Sequence, residues 1–374
     1  MRFMTICVIL NLIIASAPAV AKDPYVGKKL IQYGAGTPET AQLREQVRDI
    51  EKVPFDGIVI SVKSETKRDI LGWRTFSTVR FAPEEYEHAI TDLKGTKFER
   101  LTDNFIQMIA MPGDVDWFDP EWSAIAHNAA CLAKVAKQGG CKGIMLDPED
   151  YVENHLWNYD ALPLEKKAAH SLHEYLARVE ERGKEFIRAI NKEYPEITIL
   201  FLIGPSCTYE NAKKIRHDGG GGMYQMLSAF CDGICEAATP GTTLIDGYEQ
   251  GYGFRELAQF EKGRKITLEL TKDGVSLNPK AYAKHVRAGF PVWADSDSGA
   301  RGWRPDDFSR NYYTPEQLRA VVAYALQTSD KYVWVYQQSF VWWSPEMPKA
   351  YIGALRLARS GPGVVRKGGS ENKD

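Results

Sequence analysis

The stretch Gly143-Ile144-Met145-Leu146-Asp147-Pro148-Glu149-Asp150-Tyr151 decides the fold. Its first four residues form an unbroken apolar run, without the alternation of a strand that has one wet face. Such a strand is covered on both faces, as parallel strands are. Pro148 disfavours helix at Asp147 and helps end the strand. On either side lie helical patterns. Asp119-Pro120 opens one with Trp122, Ile125, Ala129, Leu132 and Ala136 on one side, closed at Gly139-Gly140. The other is a long pattern from Leu164 to Lys192, ending before Pro195. Helix, buried strand, helix is the unit of a parallel α/β fold.

The same unit recurs outward in both directions. Strand candidates are Lys29–Tyr33, Ile58–Val62, Phe105–Ala110, Gly143–Asp147, Ile197–Ile203, Thr243–Tyr248, Phe290–Ala294 and Tyr332–Tyr336. Between them, Thr37-Pro38 opens a helix striped by Leu43, Val47 and Ile50. Another is expected from Pro83 to Leu93. Asn278-Pro279 opens one closed by Gly289, and Thr314-Pro315-Glu316-Gln317 is a capping box with its proline in the first turn. Eight strands alternating with helices predict an α/β chain folded as a (β/α)8 TIM barrel. An open doubly wound sheet is the alternative. Its nucleotide-binding form lacks support, since no G-x-G-x-x-G follows the first strand.

In such a barrel the chemistry sits at the C-terminal ends of the strands. Asp147 and Glu149 end the strand quoted above, and strand alternation points them the same way. Two like charges so placed raise a carboxyl pKa, which suits a general acid. Asp246, Tyr248, Glu249 and Tyr252 follow the Thr243 strand. Carboxyls from two different strands are the equipment of glycoside hydrolysis. Trp293, Asp295 and Asp297 make a third acidic mouth. Gln337, Gln338, Trp342 and Trp343 follow the last strand, where a tryptophan pair could floor a sugar site. The catalytic candidates are Glu149, Asp147, Glu249 and Asp246. The substrate-binding candidates are Tyr33, Tyr151, Tyr248, Tyr252, Trp293, Asp295, Gln338, Trp342 and Trp343. Structural alternatives stand beside each. Acids at strand ends cap loops, and tryptophans close barrels.

Gly143-Ile144-x-Leu146-Asp147-x-Glu149 resembles the D-G-x-D-x-D-x-E strand of chitinase-like (β/α)8 glycoside hydrolases. The resemblance covers about seven residues; Met145 and Lys142 stand where the family has acids. It implies a barrel glycosidase with Glu149 as general acid and Asp147 orienting the substrate's N-acetyl group.

Composition sets the outer limits. The 374 residues are 44% hydrophobic and 26% charged, which excludes a disordered chain. The net charge of −2 gives no electrostatic case for nucleic acid or an anionic membrane. Residues 1–21 read as a signal peptide: Arg2, an apolar run from Ile6 to Ala15, and the small-x-small site Ala19-Val20-Ala21. An uncleaved anchor is the alternative. The mature chain is expected to start near Lys22, in a secreted or periplasmic setting, with no membrane contact after cleavage. Residues 22–360 form the single barrel domain and 361–374 a flexible polar tail. Five cysteines then remain, an odd number. Cys131 and Cys141 could bridge, or all five could be thiols.

No metal or cofactor is expected. His170-x-x-His173 lies inside a helical pattern, away from the strand ends. Gly204-Pro205-Ser206-Cys207 lacks a nucleophile elbow. The Gly219–Gly222 run reads as a mobile loop. The sequence thus predicts an exported glycoside hydrolase that takes a carbohydrate substrate. A non-catalytic glycan-binding barrel and a polysaccharide lyase are the competing classes. The acidic strand ends disfavour a lyase acting on uronates.

Overall fold

The computed structural model describes residues 25–209, 222–296 and 302–363. The signal segment, Gly219–Gly221, Asp297 and most of the polar tail lie outside them. The chain is a parallel barrel. Its strands are β1 Lys29–Gly34, β2 Gly57–Ile60, β3 Phe105–Ile109, β4 Gly143–Asp147, β5 Thr198–Phe201, β6 Thr243–Asp246, β7 Val286–Ala288, β8 Phe290–Trp293 and β9 Tyr332–Gln337. Their order is β7-β6-β5-β4-β3-β2-β1-β9-β8, and every neighbouring pair is parallel.

The strand expected at Phe290 begins earlier, and this closes the ring. Only Gly289 separates β7 from β8. Residues before it pair with β6, where Asp246 lies opposite Ala288. Residues after it pair with β9, where Phe290 lies opposite Val333. The Gly289 N–H still bonds the Asp246 carbonyl at 2.8 Å. A Cβ at Gly289 would lie 2.6 Å from Ile245 Cγ2, so glycine lets the strand change partners at close quarters. The nine segments are therefore eight staves, with one stave serving both edges.

Strand alternation sorts the apolar residues into two cores. Ile31, Tyr33, Val59, Phe105, Met145, Leu200, Leu202, Ile245, Tyr332 and Trp334 fill the barrel interior. Leu30, Ile58, Ile60, Ile106, Ile144, Leu146 and Ile199 face the surrounding helices. That double burial is why the strands read as continuous apolar runs.

Several helix boundaries differ from the sequence expectation. The long pattern Leu164–Lys192 is two helices, Leu164–Ala169 and Leu172–Glu193. Ser171 caps the second, with Glu174 returning a bond to the Ser171 N–H. That Ser-x-x-Glu capping box was available in the sequence. The helix expected to open at Thr37 starts at Thr40 instead, because the Thr37 hydroxyl bonds the Gly34 carbonyl. The Pro279 helix ends at His285, ahead of β7, not at Gly289. His170 stacks on Phe118 with centroids 3.7 Å apart. The five cysteines among the described residues are unbridged; four are buried and Cys207 is half-buried. No helix among the described residues is long and apolar enough to cross a membrane.

Candidate active site

Six of the nine strands deliver side chains to a cleft at the C-terminal end of the barrel. Tyr33 comes from β1, Asp147 from the end of β4, and Leu202 from just beyond β5. Trp293 closes β8, and Tyr336 lies on β9. Glu149 and Tyr151 follow β4, Glu249 and Tyr252 follow β6, and Gln338 follows β9. The cleft encloses about 130 Å³.

Its walls are aromatic. Tyr252 meets Trp293 at 5.1 Å and Tyr336 at 5.7 Å, and Tyr336 meets Tyr33 and Trp293 at 5.7 Å each. Trp334 lies beneath, 5.2 Å from Tyr252, with its indole N–H held by the Gly247 carbonyl at 2.9 Å. Tyr33 is set by a short relay. Ser61 Oγ donates to Gln107 Oε1 at 2.9 Å, and Gln107 Nε2 donates to the Tyr33 oxygen at 3.4 Å.

The carboxyls enter differently from the way strand geometry suggests. β4 ends at Asp147, and the Glu149 N–H turns back to Asp147 Oδ1 at 2.9 Å. A side-chain turn, not strand alternation, brings Glu149 to the face of Asp147. The Tyr151 hydroxyl then reaches both acids, Asp147 Oδ2 at 2.7 Å and Glu149 Oε2 in a shorter contact. A phenol has a single proton to donate. The second contact is a hydrogen bond only when one of the two carboxyls carries a proton. Burial, and then the Glu149 charge, push Asp147 up to about 7.

Glu249 arrives through the turn after β6, where Tyr248 takes a left-handed conformation at φ 52° and ψ 50°. Its residue is half-buried, yet Oε2 is sealed from solvent without a hydrogen-bond partner among the described residues. Burial, then the charges of Glu149 and Asp147, raise it to about 9. The cleft thus brings an acid whose proton is held more tightly, from one strand end, together with an acidic pair from another.

Eight sequence candidates meet in this cleft: Tyr33, Asp147, Glu149, Tyr151, Glu249, Tyr252, Trp293 and Gln338. The other five do not line it. Asp246 is buried and accepts the Ser206 N–H at 2.9 Å and the Tyr248 N–H at 3.1 Å, so it is a tether rather than a reactive acid. Tyr248 is buried against Phe254 and Phe290 and lines a neighbouring cavity with Ser206 and Cys207. Asp295 is buried, holding the Trp293 indole at 2.9 Å and the Ser339 N–H at 2.6 Å. Trp342 is fully buried, packed edge-on against Phe55 and Phe340, with its N–H on Gln337. It has no face to offer a sugar. Trp343 borders a separate groove with Gly36 and Val341. The sequence reading missed Tyr336 and Leu202. Tyr336 was within reach, two residues from Trp334 on the same strand face.

No family model matches the chain, and no curated protein sequence matches it. Among solved structures it is similar to a family 5 xyloglucanase from Paenibacillus pabuli, at 11% identity over 90% of this chain and 99% of that one, TM-score 0.49. A family 18 chitinase from Pseudoalteromonas aurantia gives 15% identity over 88% and 99%, TM-score 0.41. A 3-keto-D-glucoside 4-epimerase from E. coli gives 16% over 89% and 99%, also 0.41. Likenesses at this level carry no conclusion about chemistry. The barrel rests on its strand order, and the site on its own geometry.

Proposed function

We propose that this chain is an exported glycoside hydrolase that cleaves an extracellular glycan in the cleft at the barrel mouth. The observation that carries it is the meeting, between aromatic walls, of Glu249 from one strand end with Asp147 and Glu149 from another. A glycosidic bond needs an acid that still holds its proton and a second carboxyl that has lost its own. Glu249, raised to about 9, holds a proton at neutral pH. Asp147, raised to about 7, loses its proton as pH passes neutrality, and Tyr151 bridges it to Glu149.

In the reaction, Glu249 gives its proton to the glycosidic oxygen as the bond from that oxygen to the anomeric carbon breaks. The bonding pair leaves with the oxygen. The acidic pair stabilises the positive charge that grows on the sugar ring. Water supplies the new hydroxyl, and its proton restores the acid. The roles differ from those the chitinase resemblance implies: the protonated group is Glu249, and Glu149 belongs to the charged pair. Tyr33, Tyr252, Trp293 and Tyr336 present flat apolar surface for the ring faces of the substrate.

The test is release of reducing ends from a panel of soluble glycans by the mature chain. Glu249→Gln keeps shape and hydrogen bonding but removes the transferable proton, so release should fall about 10²–10⁴-fold. Glycan binding with no release from any member of the panel would favour the non-catalytic barrel instead.

A further inference from the structure

The cleft is small. About 130 Å³ lies well below the roughly 300–1,000 Å³ of pockets that enclose a drug-sized ligand. A glycan that places one ring at the carboxyls must lay its other residues over the rim. One part of the rim is built for that. Trp73 is 39% exposed and Tyr151 48% exposed, and their rings meet at 5.4 Å with planes 45° apart. Of the nine tryptophans, only Trp73 is exposed; the others are buried or half-buried. The two rings together make contiguous exposed aromatic surface beside the cleft, the kind of surface a ligand covers.

Trp73 is also held still. It sits in the short turn Leu71–Arg74, where Leu71 is buried and its N–H bonds the Val62 carbonyl at 2.8 Å. Gly72 presses on β3: a Cβ there would lie 2.6 Å from the Gln107 carbonyl oxygen. Thr75 Oγ1 bonds back to the Leu71 and Gly72 carbonyls, each at 3.2 Å. Arg74 is tied to Asp69 and Glu85 at 2.6 and 2.7 Å. Both chain neighbours of Trp73 are fixed inward while its ring is left at the surface. Tyr151 supplies the continuity, because the residue whose ring meets Trp73 also contacts the Asp147 and Glu149 carboxyls through its hydroxyl.

We propose that Trp73 and Tyr151 form an outer subsite that stacks a pyranose ring of a glycan chain, making the preferred substrate an oligosaccharide or polymer rather than a small glycoside. The subsite rests on the glycan reading of the carboxyl cleft. The test uses the mature chain carrying Glu249→Gln, so that sugars bind without turnover. Calorimetric titration is run with glucose-, N-acetylglucosamine-, galactose- and mannose-based oligosaccharides of one unit and of four to six units. Longer chains of the recognised sugar should bind more tightly than the single unit. Adding Trp73→Ala should weaken the long chains about tenfold while leaving the single unit within about twofold, and Trp73→Phe should restore most of the loss. Thermal melting should stay within a few degrees of the parent, since an exposed ring is removed. Chain-length preference that survives Trp73→Ala unchanged overturns the subsite but not the glycan reading. If no sugar of either length binds before Trp73 is altered, and no glycan is cleaved by the unaltered chain, the subsite and the glycan reading fall together.

Discussion

Two residues set the acid–base behaviour of the cleft, and they move in the same direction for related reasons. Burial, and then the neighbouring acids, raise Glu249 to about 9, and burial with the Glu149 charge raises Asp147 to about 7. The proposed reaction requires Asp147 ionised and Glu249 protonated. The profile of kcat/KM should therefore rise through about pH 7 and fall through about pH 9. Tyr151 donates to Asp147 and so favours its charged form. Tyr151→Phe keeps the ring but loses that bond, and the rising limb should move to higher pH. A limb that stays in place would remove Tyr151 from the proton network.

Glu249 also links stability to pH. Its folded value, about 9, lies above the ordinary 4.5. Between those values the folded chain keeps a proton that the unfolded chain has lost. This contribution is fully present below about pH 4.5 and is lost as pH rises through about 9. Glu249→Gln carries no such dependence. The melting temperature of the variant minus that of the unaltered chain should grow from pH 5 to pH 9. A constant difference over that range would mean Glu249 is not held protonated.

At the scale of elements, the loops at the barrel mouth are tied by acids that never face the cleft. Asp246 joins the segment after β5 to the segment after β6, through the Ser206 and Tyr248 N–H groups. Asp295 joins β8 to the segment after β9. Asp246→Ala leaves buried donors unpaired and should cost about 1–3 kcal/mol of stability by chemical denaturation. Its activity loss should come with a shifted pH profile, since Glu249 rides on the same turn. Full stability with lost activity would restore Asp246 to the catalytic set.

Here the sequence reached its limit. An acid at the end of a buried strand either faces the cleft or turns back onto backbone N–H groups, and both have the same local pattern. Asp147 manages both at once; Asp246 only caps. The strands themselves were legible, because helices cover one face and the barrel interior the other, leaving apolar runs with turn residues between. The stave at Gly289 was half-legible: Val286-Arg287-Ala288 carries an arginine whose side chain turns to carbonyls of the preceding helix. Trp342 and Trp343 were misplaced because the chain beyond β9 leaves the cleft, and one indole turns into the core.

At the scale of the whole molecule, the barrel gathers residues far apart in sequence, from Tyr33 to Gln338, into one aromatic cleft. Its setting is a separate proposal. If the Ala19-Val20-Ala21 site is cleaved, N-terminal sequencing of protein recovered outside the cytoplasm should begin at or near Lys22. An intact Met1 on cytoplasmic protein would contradict export without touching the chemistry.

The central claim is that Glu249 delivers the proton to a departing glycan. The most direct measurement compares turnover of a natural glycan with that of an aryl glycoside of the same sugar, in Glu249→Gln and in Glu149→Gln. A good leaving group needs little protonation. Glu249→Gln should lose about 10²–10⁴-fold on the glycan and far less on the aryl glycoside, while Glu149→Gln should lose activity on both alike. The leaving-group-dependent loss appearing in Glu149→Gln, with both substrates equally affected in Glu249→Gln, would contradict the assignment.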